Sequence, residues 1–180
     1  MKVRFAPDWS EFVTLLLTHR VRFVLVGGHA FAGHAEPRLT EDLDLFVDPT
    51  LANGARLRRA LVEFGFGERA PSAEALAVPG KIWMLGRKPW RIDVLTAIDG
   101  VTFRDAWRGR VHADFDAGAL PVLGLEELIR NKRAAGRPKD LADVVRLEQV
   151  AADRRAKRSA RPGKVPRALP AGSRRRRRPL

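Results

Sequence analysis

Residues 23–48 read FVLVGGHAFAGHAEPRLTEDLDLFVD, and this stretch decides the fold. The apolar run 23–26 is short and rich in β-branched residues, which predicts a buried strand. The pair Gly27-Gly28 ends that strand, because glycine permits a tight turn and a close approach of the backbone to a ligand. The Ala-rich segment 29–35 then predicts a short helix. The first N–H groups of such a helix lack carbonyl partners and form a site for an anion.

The end of the same stretch alternates acidic and apolar residues. Successive side chains of a strand point to opposite faces, so Asp42 and Asp44 share one face while Leu43 and Leu45 share the other. Two aligned carboxylates repel each other and lose hydration, and a divalent cation relieves both costs. Oxygen ligands favour Mg²⁺ or Mn²⁺ over Zn²⁺, and a phosphate-bearing substrate would complete the coordination.

The order of these features resembles a known superfamily. A glycine pair at a strand end, the segment 29–41 and then Asp-x-Asp between apolar neighbours are similar to the nucleotidyltransferases that include DNA polymerase β. The sequence of residues 27–48 looks more like the prokaryotic branch of AbiEii-type toxins and their MNT-like relatives. The resemblance implies an α+β fold, in which a small mixed β-sheet is flanked by helices and followed by a C-terminal helical pair. It also implies a third carboxylate on a neighbouring strand, and Asp93, between apolar neighbours, fits that role.

A second pattern extends the likeness toward the C-terminus. Residues 132–143 carry K-x4-R-x-K-D-x2-D, which resembles a helical signature of the same AbiEii-like enzymes, where a lysine and an aspartate belong to the active-site region. The resemblance implies that Lys132 places a cation on a triphosphate and that Asp140 lies near the nucleotide. Two alternatives remain open. Lys132 could be a helix-surface lysine, and Asp140 and Asp143 could pair with nearby arginines and fix the two helices.

Two residues just before the acidic strand are further candidates. Arg38 and Thr40 are predicted to reach back toward the phosphate pocket. For Arg38 the alternative is a local salt bridge with Glu36 or Glu41. The predicted nucleotide-binding set is therefore Gly27, Gly28, Arg38, Thr40 and Asp140. The predicted catalytic set is Asp42, Asp44, Asp93 and Lys132, of which the three aspartates bind metal.

The amino-acid composition excludes several classes of protein and of site. The chain has 180 residues, 45% of them apolar, and no cysteine. Disulfide frameworks, cysteine-based zinc sites and thiol nucleophiles are thereby excluded. No apolar run approaches the roughly 18 residues of a membrane helix, and no signal peptide is recognisable, so we expect a cytoplasmic protein with no membrane partner. The expected organisation is a catalytic core over 1–124, a helical extension over 125–153 and a disordered basic tail over 154–180.

The formal net charge of +13 is concentrated in that tail. Residues 154–180 contain 12 of the 34 lysines and arginines and no acidic residue, which leaves 22 basic and 21 acidic residues in 1–153. The tail is rich in proline and ends in five consecutive arginines, Arg174 to Arg178, so we predict disorder. It could bind nucleic acid through phosphate contacts, or it could simply add solubility.

The glycine pair, the acidic strand and the resemblance together predict metal-dependent transfer of an NMP from an NTP. The resemblance implies that the acceptor is an RNA 3′ end, for example of tRNA, or a protein hydroxyl, and that a cognate toxin or antitoxin is a partner. Two alternatives stay open: a catalytically silent module that binds nucleic acid or a partner, and a two-metal phosphohydrolase. A Rossmann site is excluded because the third glycine of GxGxxG is missing, and a P-loop is excluded because no Gly-Lys-Ser/Thr follows.

Overall fold

A computed structural model describes residues 5–37, 39–116 and 118–160. Its β-strands are β1 (Phe23–Leu25), β2 (Asp42–Val47), β3 (Ile82–Leu85), β4 (Arg91–Leu95), β5 (Val111–Phe115) and β6 (Gly118–Val122). They form one six-stranded sheet in the order β3-β4-β2-β1-β6-β5. β1 pairs antiparallel with β2 and parallel with β6, while β2 pairs parallel with β4. The edge hairpins β3/β4 and β5/β6 are antiparallel.

Seven α-helices accompany the sheet within the described residues. They are α1 (Pro7–Thr18), α2 (Gly27–His34), α3 (Leu51–Leu61), α4 (Ala73–Leu76), α5 (Phe103–Gly109), α6 (Leu125–Ala135) and α7 (Pro138–Ser159). Short π-helical and 3₁₀ turns occupy 62–66 and 67–69. A small mixed sheet with flanking helices and a C-terminal helical pair is the predicted α+β fold class, which is confirmed.

The alternation in β2 produces the burial that the sequence predicts. Leu43 and Leu45 are fully buried, whereas Asp42 and Asp44 are partly exposed on the opposite face. From Leu45 onward every residue of the strand is buried, because both faces of the sheet are covered there. Leu25 lies opposite Leu45 in the antiparallel pair, so β1 and β2 together form the middle of the apolar core.

Local sequence signals set several helix ends. The Thr50 side chain accepts a hydrogen bond from the Asn53 N–H and thereby caps α3. Gly136 adopts a left-handed conformation with φ of +64° and ends α6, and Pro138 occupies the first turn of α7. The predicted start of α2 was two residues too late: the helix begins at Gly27, so the glycine pair belongs to its first turn.

The prediction of disorder over 154–180 is wrong for its first six residues. α7 continues to Ser159, so residues 154–159 are helical rather than part of a disordered tail. The physical reason is that the first proline after Pro138 is Pro162, and the intervening residues are mostly good helix formers. Residues 161–180, including the arginine run, lie outside the described residues. None of the described helices combines the length and apolar character needed to cross a bilayer.

Candidate functional site

The topology brings three chain segments to one edge of the sheet. β1 runs antiparallel to β2, and β4 runs parallel to β2. The end of β1 and the beginnings of β2 and β4 therefore meet at the same edge. Asp44 lies directly opposite Asp93 in the β2–β4 register, and Asp42 lies opposite Arg91. Neighbouring strands lie about 4.8 Å apart, so these side chains on one face are in each other's reach.

The three predicted acids are thus brought together, and we call Asp42, Asp44 and Asp93 the acidic cluster. Asp93 is 8% exposed even though it is charged, which is unusual for an aspartate. Burial, and then the nearby carboxylates of Asp93 and Asp42, raise the pKa of Asp44 to about 6. Within the described residues no hydrogen bond or ion pair reaches the Asp44 carboxylate. The cluster therefore carries more negative charge than its neighbours neutralise.

Arg91 makes the closest charged contacts with the acidic cluster. Its Nε donates to Asp93 Oδ1 and its Nη2 donates to Asp93 Oδ2, both at 2.7 Å. The same Nη2 lies 3.2 Å from Asp42 Oδ2. Arg91 and Asp93 are two residues apart on β4 and so share a face of the sheet. The guanidinium therefore holds both oxygens of one acid and touches a second.

The glycine corner lies against the acidic cluster. Gly27 has a φ of +59°, and a Cβ placed on it would lie 2.0 Å from Asp44 Oδ2. A Cβ on Gly28 would lie 2.8 Å from the Thr40 hydroxyl oxygen. Thr40 in turn donates to the Asp42 carbonyl at 3.2 Å. Only glycines leave room for the first turn of α2 to approach the carboxylates this closely.

Substituting Gly27 by alanine is expected to destabilise the fold and to move Asp44. A left-handed backbone costs a residue with a Cβ about 1–2 kcal/mol, and the contact with the Asp44 carboxylate adds to that cost. Gly136→Ala is the control, because Gly136 is left-handed with a φ of +64° and an added Cβ would meet only the Arg133 carbonyl oxygen, at an ordinary 3.8 Å. Urea denaturation should show a larger loss for Gly27→Ala than for Gly136→Ala. Equal losses would mean that the corner does not confine Asp44.

The opposite wall of the cleft comes from the two C-terminal helices. Lys132 on α6 is 4% exposed, and its Nζ lies 3.0 Å from Asp140 Oδ1 and 2.6 Å from Asp143 Oδ2 on α7. Arg137 also donates from Nε to the second oxygen of Asp140. Burial acts to raise the pKa of Asp140, but the hydrogen bonds from Arg137 and Lys132 outweigh it and hold this pKa below its usual value. The alternative that Lys132 is a surface lysine is therefore wrong.

A single cleft of about 620 Å³ unites these elements. Every predicted site residue in the described part of the chain lines it, namely Gly27, Gly28, Thr40, Asp42, Asp44, Asp93, Lys132 and Asp140. Arg38 lies outside the described residues. The pairing that the sequence left open for Asp140 and Asp143 is present, since both contact Lys132 across the helix pair. Asp140 thus belongs to the cleft wall and to the helix contact at once.

Four basic residues of the cleft were missed by the sequence reasoning: Lys88, Arg91, Arg137 and Lys139. Arg91 carried a readable signal, because it shares the face of Asp93 on a strand. Lys88, in the β3–β4 connection, approaches Glu41 at 3.5 Å and Asp42 at 3.8 Å. Nothing in its local sequence predicts that contact, which depends on the pairing of β4 with β2. The cleft is consequently lined by as many basic as acidic side chains.

The donor set of the cluster suits a hard divalent cation. Within residues 5–37, 39–116 and 118–160, no group of three or more His, Asp or Glu side chains is already arranged to coordinate a metal ion. Two observations nonetheless fit Mg²⁺ or Mn²⁺. Asp42 Oδ1 is buried and has no hydrogen-bond partner within these residues, and Asp44 sits beside two other carboxylates. An ion bound by these oxygens would relieve both features.

Comparisons with known proteins give fold likeness only. No protein-family model and no curated protein matches the sequence.

The crystal structure of ANT(2″)-Ia with adenylyl-2″-tobramycin is similar with a TM-score of 0.49 and 14% identity, covering 83% of this chain and 94% of that one. A candidate nucleotidyltransferase of Thermotoga maritima gives 0.46 and 14%, covering 86% and 96%. An antigenic nucleotidyltransferase-like protein of Paracoccidioides brasiliensis gives 0.44 and 13%, covering 86% and 91%. Because these TM-scores lie below 0.5, the function proposed below rests on the cleft.

Proposed function

We propose that this protein is a metal-dependent nucleotidyltransferase, which transfers an NMP from an NTP to an acceptor hydroxyl. The observation that carries the proposal is the register of β2 and β4. It sets Asp44 opposite Asp93, with Asp42 on the same face, beside a glycine corner that opens a helix. Carboxylates in a cleft of about 620 Å³ that five basic side chains also line suit a nucleotide and the metal ion it brings.

The glycine corner and the basic wall would bind the triphosphate. The N–H groups of Gly27 and Gly28 stand at the N-terminus of α2, where unpaired donors and the helix dipole favour an anion. Lys139 in the first turn of α7 and Arg137 just before that helix both line the cleft. Lys132 is committed to Asp140 and Asp143, so we assign it to holding the helix pair and to the positive potential behind the phosphates.

The acidic cluster would hold Mg²⁺ or Mn²⁺ through Asp42, Asp44 and Asp93. The metal would offset the charge of the phosphate oxygens as an acceptor oxygen bonds to the α-phosphorus and pyrophosphate leaves. Asp93 would take the proton of the attacking hydroxyl and pass it to solvent. The Asp44 carboxylate would hold the metal ion close to the phosphates of the nucleotide, since it lies beside Gly27.

For the acceptor, we propose an RNA 3′ end ahead of a protein hydroxyl. The support is the arginine run 174–178, which suits phosphate contacts with RNA, and the likeness of residues 27–48 to AbiEii-type toxins. On that likeness a cognate toxin or antitoxin partner is also proposed. The compartment we propose is the cytoplasm, where NTP and Mg²⁺ are available.

Incubation with each α-³²P-labelled NTP, Mg²⁺ and either total RNA or cell lysate tests the activity. We expect label in RNA, and we expect Asp93→Asn to lower the labelling rate by about 100-fold or more, as loss of a general base or metal ligand does. Asp114→Asn is the control, since Asp114 is an exposed carboxylate on β5 and does not line the cleft.

Three other outcomes of the same assay would point elsewhere. Label in protein would keep the transferase and change the acceptor. Release of phosphate without any labelled acceptor would favour a phosphohydrolase. No label together with unchanged Mn²⁺ binding in an Asp42→Ala/Asp44→Ala variant would favour a catalytically silent binding module.

A further inference from the structure

Arg91, which lies beside the acidic cluster, has no role in the function proposed above. Arg91 binds Asp93 through two parallel hydrogen bonds of 2.7 Å, a geometry that only a guanidinium fork offers. Its Nη2 stands between two acids, 2.7 Å from Asp93 Oδ2 and 3.2 Å from Asp42 Oδ2. A divalent ion held by the carboxylates of Asp42 and Asp93 would have to share with Arg91 the oxygens that the guanidinium now contacts.

The charge of Arg91 alone does not balance the charges of the acidic cluster. One guanidinium offers a single positive charge to three carboxylates, and its contacts reach Asp42 and Asp93 but not Asp44. Asp42 Oδ1 remains buried without a hydrogen-bond partner among the described residues. Arg91 therefore neutralises the cluster only in part, and a cation of higher charge would complete what it begins.

The Arg91 side chain is also accessible from the cleft. Its side chain is 25% exposed, and it lines the open cleft from the first residue of β4. Arg91 is the first residue of the strand, and its side chain is not part of the apolar core. The buried neighbours that hold β4 in place are Ile92 and Val94, which face the other side of the sheet.

We propose that Arg91 is the resting counterion of the acidic cluster and that it competes with the divalent ion for Asp42 and Asp93. This inference rests on the proposed function, because it takes the cluster to be the metal site. Metal loading would then require the Arg91–Asp93 pair to break. The guanidinium stabilises the three acids while no metal is bound, and it lowers the affinity of the cluster for metal alone.

Mn²⁺ binding measured by electron paramagnetic resonance, without nucleotide, tests the competition directly. Arg91→Ala and Arg91→Gln should bind Mn²⁺ about tenfold or more tightly than the unaltered chain, because no charge-assisted fork has to be broken first. Arg91→Lys, which keeps the charge but cannot span both oxygens of Asp93, should fall between. Circular dichroism would establish that each variant is folded before titration.

Lys88→Ala is the matched control for charge alone. Lys88 lines the same cleft and lies 3.8 Å from Asp42, but it does not contact Asp93. Its side chain is 57% exposed, so its loss should change the Mn²⁺ affinity by no more than about threefold. If Arg91→Ala binds Mn²⁺ no more tightly than Lys88→Ala, the effect is general electrostatics and the competition is refuted.

Thermal unfolding gives a second readout that is independent of activity. Without metal, Arg91→Ala should melt below the unaltered chain, since the three acids then lose their closest countercharge and keep only the more distant Lys88. Saturating Mn²⁺ should raise the melting temperature of Arg91→Ala by more than that of the unaltered chain and bring the two together. A deficit that Mn²⁺ does not repair would show that Arg91 is purely structural and would overturn the inference.

The same measurements separate this inference from the function on which it rests. If the unaltered chain labels an acceptor while Arg91→Ala gains no affinity for Mn²⁺, only the role of Arg91 fails. If no variant binds Mn²⁺ and no acceptor is labelled, the metal site fails and the proposed function fails with it.

Discussion

Replacing Lys132 by methionine is expected to lower the free energy of unfolding by about 3–5 kcal/mol, the cost of leaving a buried charge without its partner. Lys132 is 4% exposed, and its ammonium is the shared partner of Asp140 and Asp143. Methionine fills a similar volume but returns no charge. Asp140 keeps its bond from Arg137, whereas Asp143 loses the close contact of 2.6 Å. Urea denaturation monitored by circular dichroism measures the loss.

Arg133→Met on the same helix is the control for this prediction. Arg133 pairs with Glu148 of α7, so it too joins α6 to α7, but both side chains are about half exposed. An exposed pair of this kind contributes about 0–1 kcal/mol, so the two losses should differ severalfold. The double variant Lys132→Met/Asp143→Asn should recover part of the loss, because the charge that faces Lys132 in the unaltered chain is removed as well. Similar small losses in both single variants would contradict a buried ionic centre.

The role of Lys132 illustrates what sequence reasoning could and could not find. The helix α6 buries Leu128, Ile129 and Lys132 on one face, a set at the i, i+1 and i+4 spacing of a helical stripe. The sequence therefore contained the signal that Lys132 faces inward. Its partners could not be read in the same way, because the contact depends on how α7 packs after the turn at Gly136. The resemblance named the lysine and the aspartate but not their mutual bond.

The acidic cluster shows the same division between local and non-local information. Alternation alone placed Asp42 and Asp44 on one face of a strand, and apolar neighbours marked Asp93 as a strand residue. The parallel pairing of β2 with β4 joins residues about 50 positions apart, and no local pattern specifies such a partner. Arg91 was given no role for a related reason: its contact with Asp42 depends on the register of β2 and β4, which sets the two residues opposite each other.

Replacing Asp44 by asparagine is expected to stabilise the metal-free protein at pH 7.5 while abolishing transfer. Burial and the adjacent carboxylates raise the pKa of Asp44 from 3.8 to about 6. Between these two values the folded state holds a proton that the unfolded state has lost, so stability falls as the pH rises through this window. Above pH 6 the cost is constant at about 2–3 kcal/mol, which the neutral amide of asparagine avoids.

The pH dependence separates this origin from a simple packing change. Near pH 4 the folded protein keeps Asp44 protonated and neutral, so Asp44→Asn should then match the unaltered chain in urea denaturation, and it should exceed it only at pH 7.5. Asp114→Asn, at an exposed site on β5, should change stability little at either pH. Mg²⁺ at pH 7.5 should stabilise the unaltered chain and not Asp44→Asn, because the carboxylate that binds the ion is also the one that destabilises the metal-free fold. A loss of stability in Asp44→Asn at pH 7.5 would instead mean that the carboxylate is held by a favourable partner, and the acidic cluster would not be short of positive charge.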